Sequence, residues 1–123
     1  MSWIDEALRA LGKQMGVNNL SFNSRGVCCL IMEKSGKLFI EKSDEDELIV
    51  YLERPLFEID EEVLEKILTT VHYKNTTGPV VSAGIYSDNR LIFISKIKKK
   101  DYSLPLLEET IDKLLKLHGE VTI

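Results

Sequence analysis

Cysteine, proline and tryptophan are scarce in this chain: of 123 residues, two are Cys, three are Pro and one is Trp. Two thiols cannot staple a small fold, which argues against a disulfide scaffold. Three prolines and seven glycines argue against collagen-like repeats and against a linker that would divide the chain. Long apolar runs are missing as well. Those present, such as Val27 to Met32, fall far short of the roughly 18 to 20 residues a membrane-spanning helix needs. Neither sign of charge dominates, since 16 Lys and Arg stand against 20 Asp and Glu for a formal net charge of −4. This mild acidity makes nonspecific nucleic-acid binding a poor reading.

What remains is a mixture that can fold, 44% apolar and 29% charged. A chain of this size buries roughly two thirds of the surface it exposes unfolded, enough for one core but not for two. A single domain over 1–123 is the expectation. Ser2-Trp3-Ile4-Asp5-Glu6 carries acid where a secretion signal carries basic residues, so the protein is expected in the cytoplasm, without stable membrane insertion. Cys28 and Cys29 are adjacent in a strand-like run, where neighbouring side chains point to opposite faces. They cannot readily bridge, and read as reduced core residues.

The periodicity gives an order of elements. Ser2 caps a helix over 3–15 with apolar positions Trp3, Ile4, Ala7, Leu8, Leu11 and Met15, stopped by Gly16. Three strands follow, Val27 to Glu33, Lys37 to Lys42 and Leu48 to Glu53, joined by short polar turns and ended by Arg54-Pro55. Asp60 caps a second helix carrying Val63, Leu64, Ile67, Leu68 and Val71 on one stripe. Asn75 to Pro79 breaks the pattern. A hairpin of Val80 to Tyr86 and Arg90 to Ile97 comes next, then a third helix capped by Ser103 and ended by Gly119. Helix, three strands, helix, two strands, helix is an α+β domain: a twisted antiparallel sheet flanked by helices.

Sorting strand residues by face exposes an excess of apolar surface. Leu48, Val50 and Leu52 share one face of the third strand while Ile49 and Tyr51 share the other, and the first and fifth strands are likewise apolar on both sides. Three short helices can cover one face and part of the other. The rest is expected to meet another chain, because large exposed apolar patches otherwise invite aggregation.

The catalytic inventory is thin. His72 and His118 stand near helix ends without a second His or Cys at metal-ligand spacing, and read as partners of the helix dipole. Cys28-Cys29 lacks the spacing of a C-x-x-C pair, and the glycines never cluster into a phosphate-binding loop. Glu61-Glu62 and Glu108-Glu109 fall in expected first helical turns, where carboxylates serve the dipole. Lys96, Lys98, Lys99 and Lys100 form a basic cluster that could bind an acidic partner segment or guard a sheet edge. The expectation is a protein without catalytic residues, metal or cofactor.

Met1-Ser2-Trp3-Ile4 with Leu11 and Gly16-Val17, then Ser35-Gly36-Lys37-Leu38, and finally Ser103-Leu104-Pro105-Leu106-Leu107 with Leu114-Leu115 and Glu120-Val121, resemble the class I chaperones of bacterial type III secretion systems, most closely the SycN type. The resemblance covers the chain end to end, apart from the Cys28-Cys29 pair and the Lys98 to Lys100 cluster. It implies a non-enzymatic, ATP-independent dimer, either a homodimer or a heterodimer with a second small class I chaperone. It also implies a secreted client, a gatekeeper that restrains export, held through its N-terminal region in an extended form. Carried onto this chain, the family's dimer contact falls on Val63, Leu64, Ile67, Leu68 and Val71 of the second helix and on Val81, Ala83 and Ile85 of the strand after it. Ile67→Asp is then expected to break association. The client surface is expected at Trp3, Leu38, Phe39, Ile40, Ile49 and Tyr51. A small sensor or adaptor domain enclosing an apolar ligand is the rival reading, and would need a deep internal cavity.

Overall fold

A computed structural model describes residues 2–32, 36–56, 59–72, 78–86 and 88–121. Helix α1 (Trp3–Met15) opens where the Ser2 hydroxyl accepts the Asp5 amide, and closes where Gly16 turns left-handed at φ 73° and its N–H reaches the carbonyls of Gly12 and Lys13. Its inward stripe is Ile4, Ala7, Leu8 and Leu11, while Asp5 on the flank pairs with Lys42 at 2.7 Å.

Strands β1 (Val27–Met32), β2 (Gly36–Lys42) and β3 (Glu47–Pro55) form an antiparallel meander. The connection between β2 and β3 is held by the Ser43 hydroxyl, which accepts the amides of Glu45 and Glu47, with Asp46 at φ 59°. Gly36 enters β2 at φ 102°, and a Cβ there would lie 2.2 Å from the Glu53 carbonyl oxygen, so only glycine fits. Of the first expected turn, Lys34 and Ser35 lie outside the described residues, as do Asn75 to Thr77 and Ser87.

Helix α2 (Glu61–Val71) starts at Asp60, whose carboxylate accepts the Val63 amide at 2.9 Å. Strands β4 (Ser82–Tyr86) and β5 (Arg90–Lys98) make the second hairpin, and a 3-10 turn (Lys99–Asp101) leads to α3 (Leu104–Val121). The strand order is β1-β2-β3-β5-β4, every pair antiparallel. β5 therefore fills the sheet beside β3, and β4 is left at the edge.

Boundaries differ from expectation at several elements: β3 does not end at Glu53 but runs on through Arg54 and Pro55, which pair with Leu91 and Arg90 of β5. β4 begins at Ser82, not Val80, because the Lys113 ammonium donates to the Pro79 carbonyl and draws residues 79–81 toward α3. α3 runs through Gly119 to Val121, because Leu117, His118 and Val121 extend its buried stripe. At its other end α3 begins at Leu104, so Glu108 and Glu109 lie beyond its first turn, where the dipole reading does not apply.

All three helices feed one core. Leu38 and Ile40 of β2, Leu48, Val50 and Leu52 of β3, and Leu91 and Phe93 of β5 have no exposed surface, and their register places them on a single face of the sheet. Ile4, Leu8 and Leu11 from α1, Ile67 from α2, and Leu107 and Leu114 from α3 pack into the same cluster. Each such side chain contributes about 1.5–3 kcal/mol by leaving water.

Candidate interaction surfaces

With the helices gathered on one side, no helix among the described residues covers the opposite face of the sheet. Its residues follow from the register: Cys29, Phe39, Tyr51 and Ile94 stand side by side across four strands, flanked by Ile49 and Lys96 on one row and by Ile31, Lys37, Glu53 and Ile92 on the next. Phe39 and Tyr51 are directly opposed and stack at 4.8 Å between centroids, 12° from parallel. Burial, helped by the Glu41 carboxylate, pushes the Tyr51 hydroxyl up to about 12, so it stays protonated. Ile31 is 79% exposed.

One corner of this face is polar. Glu53 is buried and takes a 2.5 Å contact from Arg90, whose Nε also pairs with Asp88 at 2.8 Å and whose guanidinium lies 4.9 Å from the Tyr86 ring centre. Arg90 holds the Asp88 carboxyl below its ordinary value, and Asp88 with Glu53 raises Arg90. These groups border an open depression of about 520 Å³ that Ile31, Met32 and Pro55 also line. It is a surface hollow, unlike the enclosed cavity a ligand-sensing domain would need.

A second surface runs along the β4 edge. Every residue of β4 is exposed, Ile85 and Tyr86 included. On α2 the side chains part by helical spacing: Val63, Ile67 and Val71 turn inward, and Leu64 and Leu68, four apart, turn out. Leu68 is 68% exposed, whereas Ile67 is 2% exposed.

Several expected site residues are placed differently by these observations. Leu38 and Ile40, expected on the client surface, lie in the core under the helices because they share the inner parity of β2. Phe39, Ile49 and Tyr51 are half-buried on the bare face. Trp3 stands apart, tilted against Tyr102 at 5.4 Å on the helix side. Ile67 and Val81 are core, which leaves Leu64, Leu68, Ala83 and Ile85 at the outer α2–β4 surface. Cys28 is buried, with its thiol pushed up by burial, but Cys29 is exposed on the bare face.

Sequence reasoning missed the role of His118. It is 1% exposed, its Nε2–H donates to the Leu52 carbonyl at 2.7 Å, and the Phe93 ring stands edge-on at 4.6 Å. Burial pushes it below its ordinary value. From the last turn of α3 it bonds that helix to the sheet. A signal existed in its spacing from Ile111 and Leu114, seven and four residues back, which puts it on the apolar stripe. Among the described residues, no group of three or more His, Cys, Asp or Glu could hold a metal ion, and no helix is long and apolar enough to cross a membrane.

The same fold occurs in chaperones of type III secretion. A chain of the HopA1–SchA chaperone–effector complex superposes with a TM-score of 0.73 at 18% identity, covering 96% of this chain and 92% of that one. A chain of the heterodimeric ExoU–SpcU complex of Pseudomonas aeruginosa gives 0.72 at 17% identity, covering 97% and 94%. In sequence, the chaperone protein SycN of Yersinia enterocolitica serotype O:8 is 31% identical and that of Yersinia pseudotuberculosis 28% identical, each over 98% of both chains. Residues 3–122 match the family described as "Type III secretory system chaperone SycN", and the chain belongs to that family.

Proposed function

We propose that this type III secretion chaperone acts, without catalysis, as a dimer in the cytoplasm. Its client is a secreted protein of the gatekeeper kind, bound through the N-terminal region in an extended form. The observation that carries the reading is the distribution of apolar surface: a sheet covered by helices on one face only, with the stacked Phe39 and Tyr51 at the centre of the other. An extended segment lying across such a face gains from apolar contact, and one lying along an open strand edge gains main-chain hydrogen bonds.

The dimer contact is proposed at the outer face of α2 with β4, through Leu64, Leu68, Ala83 and Ile85. Leu68, Ile85 and Tyr86 give this edge the composition of an interface rather than a solvated surface. The partner is a second copy or another small class I chaperone. Light scattering of the purified chain, alone and co-expressed with candidate chaperones and clients, tests the reading. A stable dimer that retains a secreted protein is expected. A monomer that retains none refutes it.

A further inference from the structure

We propose that the cleft beside the C-terminal end of β5 is a docking site for an acidic linear segment of a partner protein, in which one apolar side chain enters the cleft and flanking carboxylates meet Lys96, Lys98 and Lys100. This surface lies beyond the central patch of the bare face and the α2–β4 contact considered above. The cleft arises where the hairpin stops: β5 pairs with β3 as far as Lys98, but with β4 only as far as Ile94. Lys113 draws Pro79 toward α3, and the Ser95 hydroxyl donates to the Val80 carbonyl at 2.8 Å. Between this diverted segment, β5 and α3 is a hollow of about 240 Å³.

Its chemistry is that of an anchor pocket with a charged rim. Val80, Ile97 and Leu106 supply apolar wall, and Val80 is 83% exposed. The hydroxyls in the lining are already engaged, Ser95 with Val80 and Thr110 with the Leu106 carbonyl at 2.8 Å, so the interior favours an apolar occupant. At the rim stand Lys96, Lys98 and Lys100, with Lys99 beside them and Asp101 as the one acid in the lining. All four lysines are exposed, and none of their side chains has an ion-pair or hydrogen-bond partner among the described residues. By contrast, Lys42 and Arg90 are each paired. Four of the sixteen basic residues thus stand in five consecutive positions, unneutralised, in a chain of net charge −4.

Guarding a sheet edge would explain charge on β5 itself. It would not explain Lys99 and Lys100, which follow the strand on the 3-10 turn. An anionic bilayer or nucleic acid would also meet these lysines, but a concave apolar hollow suits a side chain better than a flat lipid surface or a phosphate backbone, and the net acidity of the chain opposes both.

The test titrates the isotope-labelled full chain with the peptide Gly-Glu-Asp-Leu-Asp-Glu-Gly and follows its amide spectrum. Shifts confined to residues 80, 95–101 and 106–110 are expected, with apparent affinity falling at least tenfold when the peptide's Leu is replaced by Ser. A similar loss is expected for Lys98→Glu/Lys100→Glu and, more weakly, for Lys98→Gln/Lys100→Gln, with the dispersion of the rest of the spectrum and the oligomeric state unchanged. No shifts, shifts elsewhere, or indifference to both the Leu and the lysine changes would overturn the proposal. So would binding of the lysines to phosphatidylglycerol vesicles or a single-stranded oligonucleotide in preference to the peptide. Aggregation of the charge-reversed variant with undiminished peptide binding would assign the lysines to edge protection instead.

Discussion

Acidification from pH 7.5 to 5 is expected to destabilise the protein through one residue, His118. Its neutral ring donates to the Leu52 carbonyl while packed against Phe93 and almost fully enclosed, so a proton added in the folded state would place a charge in the core. Burial therefore sets its folded value below the unfolded one of about 6.5. Below that pH the unfolded chain takes up a proton that the folded chain refuses, so stability falls as pH falls and levels off once the folded value is passed. A single proton bounds the slope at about 1.4 kcal/mol per pH unit, and hence the loss between pH 6.5 and 5 at about 2 kcal/mol. That is a sizeable share of the roughly 5–15 kcal/mol typical of a domain. Asp5 and Asp88, both held low by paired cations, contribute in the opposite window: their share is full above the ordinary carboxylate range and is lost only below about pH 4. Urea unfolding at fixed protomer concentration, followed by circular dichroism, reads the profile. His118→Gln, whose amide can still donate to Leu52, should cost about 1–2 kcal/mol at pH 7.5. It should also flatten the profile between pH 5 and 6.5. Identical profiles for wild type and variant would refute the assignment.

Neighbouring positions on α2 should separate folding from association. Ile67→Asp places a carboxylate in the core and should unfold the chain, so the association test expected at that position from sequence does not isolate the interface. Leu68→Asp should leave the circular dichroism spectrum intact and weaken dimerisation at least tenfold by light scattering; an unchanged dimer would remove this helix from the contact. On the bare face, Phe39→Ser with Tyr51→Ser should abolish retention of a co-expressed client while sparing the dimer, and undiminished retention would move the client elsewhere. Gly36→Ala should lower stability by at least about 2 kcal/mol in denaturant titrations, because its Cβ meets the Glu53 carbonyl. Gly26→Ala, which meets only Lys42 methylenes at 3.5 Å, should cost less.

The helices and strands were legible because their signals are local. Ser2 and Asp60 cap where their spacing places them, and the outward Leu64 and Leu68 obey the helical period. The excess of apolar residues on both sheet faces was also visible, and the uncovered face carries it. What periodicity could not convey was which parity of each strand the helices would choose. Leu38 and Phe39 are equally apolar neighbours; only packing of α1 and α3 decides that the first is core and the second surface. The family likeness, resting on both ends of the chain, named the class, but the placement of His118 and the Glu53–Arg90 pair depends on contacts 66 and 37 residues apart in sequence. The start of β4 likewise depends on a distant residue, Lys113, which is why the strand is shorter than its pattern suggested.

Limited proteolysis of the complex with a co-expressed gatekeeper-type client, with mass-spectrometric identification of what survives, shows which part of the client the bare face holds. A protected fragment from the client's N-terminal region is expected, held by the wild-type chain and lost with Phe39→Ser/Tyr51→Ser. A protected fragment from the client's folded interior or C-terminus, or no protection while the complex persists, would contradict that binding mode.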